Sequence, residues 1–152
     1  QFKDYNFATE RSQHLMSLGI PLNTDSTLKG QTVFLAERCG ELMYDNIITD
    51  RTILDVMAFT LNAKSIPHQD KNAFEVYASE FIREYDYIFY ISPHGIEIED
   101  NGIRETDEHY RDLIDFTITT LIKRHGHKAG KIEKISGSTE ERIQQILNIT
   151  SL

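Results

Sequence analysis

Three short segments of the sequence place acids, arginines or small residues where an apolar run ends. The first is Asp50-Arg51, which closes the run Asn46-Ile47-Ile48-Thr49, with Asp55 about one helical turn further on. A carboxylate there can hold Mg²⁺ or accept a proton, and an adjacent guanidinium offers a fork for phosphate. The plainer use is structural: Asp50 caps the following helix and Arg51 is solvated. The second segment is Asp100-Asn101-Gly102-Ile103-Arg104, followed by Arg111. On a helix, Arg104 and Arg111 stand about two turns apart on one face and would converge on a polyphosphate, with Asp-Asn-Gly as a hinge. Alternatively they pair with Asp107, Glu108 or Asp115 on a solvated surface. The third is Ser136-Gly137-Ser138-Thr139, whose small residues allow close approach of a flat base and equally make an ordinary strand-to-helix turn.

Other reactive side chains carry less. His125 and His127 flank Gly126 without a third His or a Cys nearby, a pattern that fits a helix end better than zinc. Cys39 is the single cysteine, so no internal disulfide forms; it is expected to pack on a helix face in a reducing, cytoplasmic setting. The aromatic residues between Phe74 and Tyr90 have a single basic residue, Arg83, among them and are expected in the core rather than on a base-stacking platform.

The elements that must position these segments follow from hydrophobic periodicity. Residues 2–18 have loosely helical spacing and end at the stop signal Gly19-Ile20-Pro21. Val33, Phe34, Leu35, Ala36, Cys39, Leu42 and Met43 predict a largely buried helix, Asn46 to Asp50 a short strand, and Thr52 to Leu61 another helix. Phe74, Tyr77, Ala78, Phe81 and Ile82 set an apolar stripe on the next helix. Tyr87-Ile88-Phe89-Tyr90-Ile91 is nearly all aromatic or β-branched, which predicts a central parallel strand covered on both faces. Tyr110, Leu113, Ile114, Thr117, Leu121 and Ile122 mark a long amphipathic helix that ends near His125-Gly126, and Lys131 to Ile135 reads as a third strand. Ser138 and Glu141 have capping-box spacing at the head of a last helix through Ile143, Ile146 and Leu147. Strands alternating with helices predict an α/β fold, a parallel sheet flanked by helices, with ligands at the carboxyl ends of the strands.

Composition bounds the function. The 152 residues suit one folding unit, residues 1–152. No apolar run approaches the roughly 20 residues that span a bilayer. The net charge of -8 argues against stable duplex binding, while leaving room for a small phosphate pocket. Oligomeric state is open, a homo-oligomer included.

Taken in order, the three segments resemble P-loop kinases of the nicotinamide-riboside kinase and thymidylate kinase type and the related small AAA-like ATPases. In that group a strand ends in Asp-Arg, a later strand leads to a lid with Asp-Gly-x-Arg and a second Arg, and a last strand ends in a Gly-containing turn. The lid-like segment here has one extra residue between Asp and Gly. The resemblance covers residues 31–147 and implies a three-layer P-loop fold, ATP and Mg²⁺ as cofactors, and a nucleoside, nucleotide or similar small molecule as substrate. It implies that Asp50 lies near Mg²⁺ or the acceptor hydroxyl and that Arg51, with Asp55 beside it, grips the acceptor. Arg104 and Arg111 would neutralise the transferred phosphoryl, and Ser136, Gly137 and Ser138 would border the adenine. The sequence contains no Gly-x-x-x-x-Gly-Lys-Ser/Thr, so the resemblance also implies that the N-terminal strand and P-loop lie ahead of Gln1 and that this chain is the C-terminal portion of the domain. The competing expectation is a non-catalytic nucleotide-sensing or protein-interaction module that keeps the kinase-like fold.

Overall fold

Helix formation is decided by capping and by apolar faces that find partners. The computed structural model describes residues 2–9, 12–94 and 107–151. In chain order these form β1 (Asn6–Ala8), α1 (Ser12–Ser17), α2 (Leu28–Glu41), β2 (Ile47–Thr49), α3 (Ile53–Asn62), α4 (His68–Ser79), β3 (Tyr87–Ile91), α5 (Glu108–His125), β4 (Lys131–Ile135) and α6 (Thr139–Thr150). Strand is thus found where a loose helical pattern was expected at the start of the chain: Asn6–Ala8 pairs with β2, and the helix that follows is short. Pairing across the sheet overrides weak local periodicity there.

α3 is the centre of the packing. Ile53, Leu54, Val56, Met57, Ala58 and Thr60 are all buried, as expected for a helix that is apolar nearly all round. Its core neighbours are Leu35 of α2, Phe74 and Ala78 of α4, and Tyr110, Ile114 and Leu121 of α5. The stripe expected on one helix divides: Phe74 and Ala78 of α4 and Ile82 of the 3-10 turn that follows it (Glu80–Glu84) enter the core, while the exposed Tyr77 meets the half-buried Phe81 edge-on. On α5 the basic residues Lys123, Arg124 and His125 occupy the last turn, where they complement the carbonyl end of the helix.

The chain is α/β with short parallel strands. β1 pairs with β2, and β3 pairs with β4, each in parallel. The bonds Asn6 N–H to Asn46 O and Asp50 N–H to Ala8 O turn alternate residues of β2 towards β1, so Ile47 and Thr49 direct their backbone groups to the opposite edge. On the same reasoning the bond from Gly130 N–H to Tyr85 O leaves Ile88 and Tyr90 facing the outer edge of β3. Among the described residues neither of these edges has a ladder partner.

This corrects the expectation of a central, doubly covered β3. Ile88 is buried, but Tyr87 is 39% and Ile91 42% exposed, and the rings of Tyr87 and Phe89 stack in parallel with centroids 6.0 Å apart. An unbroken apolar run is equally compatible with a strand open at one edge, because tyrosine keeps its hydroxyl in water while its ring covers a neighbour. β4 enters at Gly130, where a Cβ would fall 2.5 Å from the Asp86 carbonyl oxygen, so close strand approach requires glycine.

Candidate functional site

Beyond the exit of β2, the head of α3 is closed by Thr52, Asp55 and Tyr85. Thr52 caps α3, accepting from Leu54 N–H at 3.2 Å, and its own N–H donates to Asp55 Oδ2 at 2.7 Å. Together these form a capping box. The first amide of α3, Ile53 N–H, donates to the Tyr85 hydroxyl at 3.2 Å. The amides of the first turn are therefore engaged within the protein and do not form an open anion-binding end. Burial pushes the Tyr85 hydroxyl well above its ordinary range. Asp55, expected on sequence grounds beside the substrate, has its Oδ2 committed to Thr52.

Between β2 and this cap lies Asp50-Arg51. Asp50 is exposed at the strand end. Arg51 has φ of 74°, in the left-handed region that an arginine occupies only under constraint. The constraint is visible: its carbonyl accepts from Thr49 Oγ1 at 2.9 Å, and Arg38 Nη1 donates to Asp50 O at 2.9 Å and lies 3.5 Å from Arg51 O. The Arg51 guanidinium sits over the Phe59 ring, 5.6 Å from its centroid, in cation–π geometry. Phe59 in turn lies 6.4 Å from the Tyr110 ring on the first turns of α5. The β2 exit and the head of α5 are thus joined through one aromatic ring.

Arg111 follows Tyr110 on α5, and its Nη2 is 3.3 Å from Asp112 Oδ1. Arg104 and the turn Asp100-Asn101-Gly102 lie outside the described residues, so the expected meeting of Arg104 with Asp50 and Arg51 lies outside them too. At the exit of β4, Ser138 accepts from Glu141 N–H while Glu141 Oε2 accepts from Ser138 N–H, the expected capping box. Ser136 exchanges two hydrogen bonds with the Gln145 side chain. Gly137 has φ of 98° and is overhung by the Glu141 carboxylate, so a side chain there would be strained and would displace that carboxylate.

Next to β3 the structure assembles a group that the sequence did not announce. The Tyr90 hydroxyl donates to Asp115 Oδ1 at 2.6 Å, and His94 Nε2 lies 3.7 Å from Asp115 Oδ2. Burial first, and then the Asp115 carboxylate, raise the Tyr90 hydroxyl above its ordinary value. Asp115 entered the sequence argument only as an ion-pair partner for arginines, and its link to Tyr90 spans a strand and a helix with no local signal. Arg38 was missed as well, although its place about one turn after Leu35, on the side of α2 that faces the core, was a detectable mismatch for a charged residue.

Among the described residues no group of three or more His, Cys, Asp or Glu side chains is placed to hold a metal ion, and no helix is long and apolar enough to cross a membrane. No protein-family model matches the chain, and neither a curated protein nor a solved structure matches it.

Proposed function

We propose that this chain supplies the acceptor side of an ATP- and Mg²⁺-dependent phosphotransferase, or a related ATPase, acting on a nucleoside, nucleotide or similar small hydroxyl-bearing molecule. The observation that carries this reading is the Asp50-Arg51 turn, an exposed carboxylate beside an arginine held in a left-handed conformation at the carboxyl end of a parallel strand. In this reading Arg51 takes an anionic group of the acceptor and Asp50 faces its hydroxyl, so catalysis is positioning and charge neutralisation.

A lone carboxylate fits Mg²⁺ only where substrate phosphates and water complete the shell, which is the usual arrangement for that ion. The residues of this chain do not by themselves fit the β- and γ-phosphates of ATP, because no glycine-rich loop with its lysine occurs in the sequence. The open edges of β2 and β3 support a three-layer P-loop arrangement in which a further strand, carrying that loop, joins the two parallel pairs. The absence of the loop from the sequence equally favours a second reading, a non-catalytic nucleotide-responsive or protein-binding module.

Calorimetric titration with MgATP separates the two. The 152-residue chain alone is expected to bind MgATP poorly. A longer polypeptide with a glycine-rich loop ahead of it is expected to bind, and Arg104→Ala in that protein should slow transfer more than it weakens binding. Tight binding by the chain alone refutes the argument from the missing loop; no binding by the longer protein selects the non-catalytic reading.

A further inference from the structure

The β2 exit is governed from outside itself. Arg38, on α2, is 4% exposed, and burying a guanidinium is costly unless its donors are used. Its Nη1 serves Asp50 O and Arg51 O and lies 3.0 Å from Glu41 Oε2. The two carbonyls that it reaches belong to the residues whose side chains the strand exit presents. Glycine would occupy the backbone of position 51 without cost, so what an arginine adds at φ of 74° is its side chain, and that side chain lies on Phe59.

We propose that Arg38 is the positioning residue of this turn: by holding the Asp50 and Arg51 carbonyls it presents the Arg51 guanidinium on the face of Phe59 for an anionic group of the acceptor. That use rests on the phosphotransfer reading; the positioning itself does not. A buried Arg–Glu pair that only packed α2 against β2 would affect stability and leave the Arg51 side chain where it is.

The test is a resonance. In the wild-type protein the Arg51 Nε–H signal, assigned by its loss in Arg51→Lys, is expected upfield of ordinary arginines through the ring current of Phe59, and Phe59→Leu should remove that shift. Replacing the pair by apolar side chains of similar volume, Arg38→Met with Glu41→Leu, is expected to preserve the fold, as is common for buried ion pairs. It should nevertheless return the Arg51 signal to its position in Phe59→Leu. Inorganic phosphate, titrated as an acceptor mimic, should shift the Arg51 signal in the wild type and bind the double variant about tenfold more weakly, the cost of one misplaced charge-assisted contact.

An upfield Arg51 signal that persists in the folded double variant overturns the proposal, as does the lack of any ring-current shift in the wild type. A signal that moves in the double variant while phosphate leaves wild-type Arg51 unperturbed upholds the positioning and removes the phosphotransfer reading. If the double variant does not fold, Arg38→Gln gives the decision by the same signal, since all three contacts run through Nη1 and the shorter neutral side chain does not reach the Asp50 and Arg51 carbonyls.

Discussion

Tyr85→Phe removes a single oxygen and tests how the head of α3 is closed. That oxygen accepts from Ile53 N–H at 3.2 Å, and Ile53 is fully buried, so no water can replace it. An orphaned buried amide costs about 1–3 kcal/mol. Taking about 2 kcal/mol, and a Tm change of about 2–4 °C per kcal/mol for a chain of this size, Tm should fall by about 4–8 °C. The substitution also has a signature in pH. Burial in the folded state raises the Tyr85 pKa above its ordinary value of 10.0, so Tyr85 ionises in the unfolded chain before it does so in the protein. Its contribution is therefore complete below the unfolded value and is lost as pH rises past it, by about 1.4 kcal/mol per pH unit for one proton. Urea unfolding from pH 7 to pH 11 should show the wild type losing stability above pH 10 more steeply than Tyr85→Phe by that one-proton slope. Equal stability at pH 7, within about 0.5 kcal/mol, or equal alkaline slopes would refute the closed helix end and reopen α3 as an anion site.

Two further outcomes are expected. Glu75, buried on α4, accepts from His125 Nε2 at 2.8 Å and from Arg124, and although burial alone would raise its pKa these two partners hold it below the ordinary value. A depressed folded pKa stabilises above the unfolded value and is lost as pH falls through the folded one; Glu75→Gln should thus cost about 1–2 kcal/mol at pH 7 and flatten the acid limb of a urea stability–pH curve. Gly137→Ala, at φ of 98° beneath the Glu141 carboxylate, should cost about 1–3 kcal/mol in chemical denaturation, and no loss would mean that the β4–α6 turn is not held as described.

Elements with strong local signals could be read from the sequence almost residue by residue. The strands Tyr87–Ile91 and Lys131–Ile135 have the expected bounds, and so does the Ser138–Glu141 cap, because β-branched runs and a four-residue cap are written in neighbouring positions. The three-residue strand Asn6–Ala8 could not be read, since its existence depends on β2, about 40 residues away. The candidate site divides in the same way. Asp50-Arg51 stands out as a dipeptide at a strand end, but the left-handed backbone of Arg51, the Phe59 ring beneath it and the Arg38 guanidinium behind it are tertiary facts. Tyr90–Asp115 is the clearest case: neither residue is unusual where it stands, and only the packing of α5 on β3 brings them together.

The architecture bears on why a site at β2 would need such support. A strand of three residues with one ladder partner among the described residues has few backbone bonds to hold its end in place, and an exposed loop beyond such a strand would ordinarily move freely. Here the loop is short-circuited. Thr49 and Arg38 fix the carbonyls, the capping box fixes the next peptide, and Tyr85 ties the first amide of α3 to the segment that leads into β3. Rigidity at this exit is thus imported from α2, α3 and the approach to β3 rather than supplied by the sheet. Among the described residues the edges at Ile47, Thr49, Ile88 and Tyr90 have no ladder partner, and this is the complementary fact: a strand added at the β2 edge would lengthen that ladder and reinforce the same exit, while an edge left open is a template for unwanted pairing. A strand that paired in parallel with the β2 edge would place its own carboxyl end on the side of Asp50 and Arg51, and one that paired antiparallel would place its amino end there.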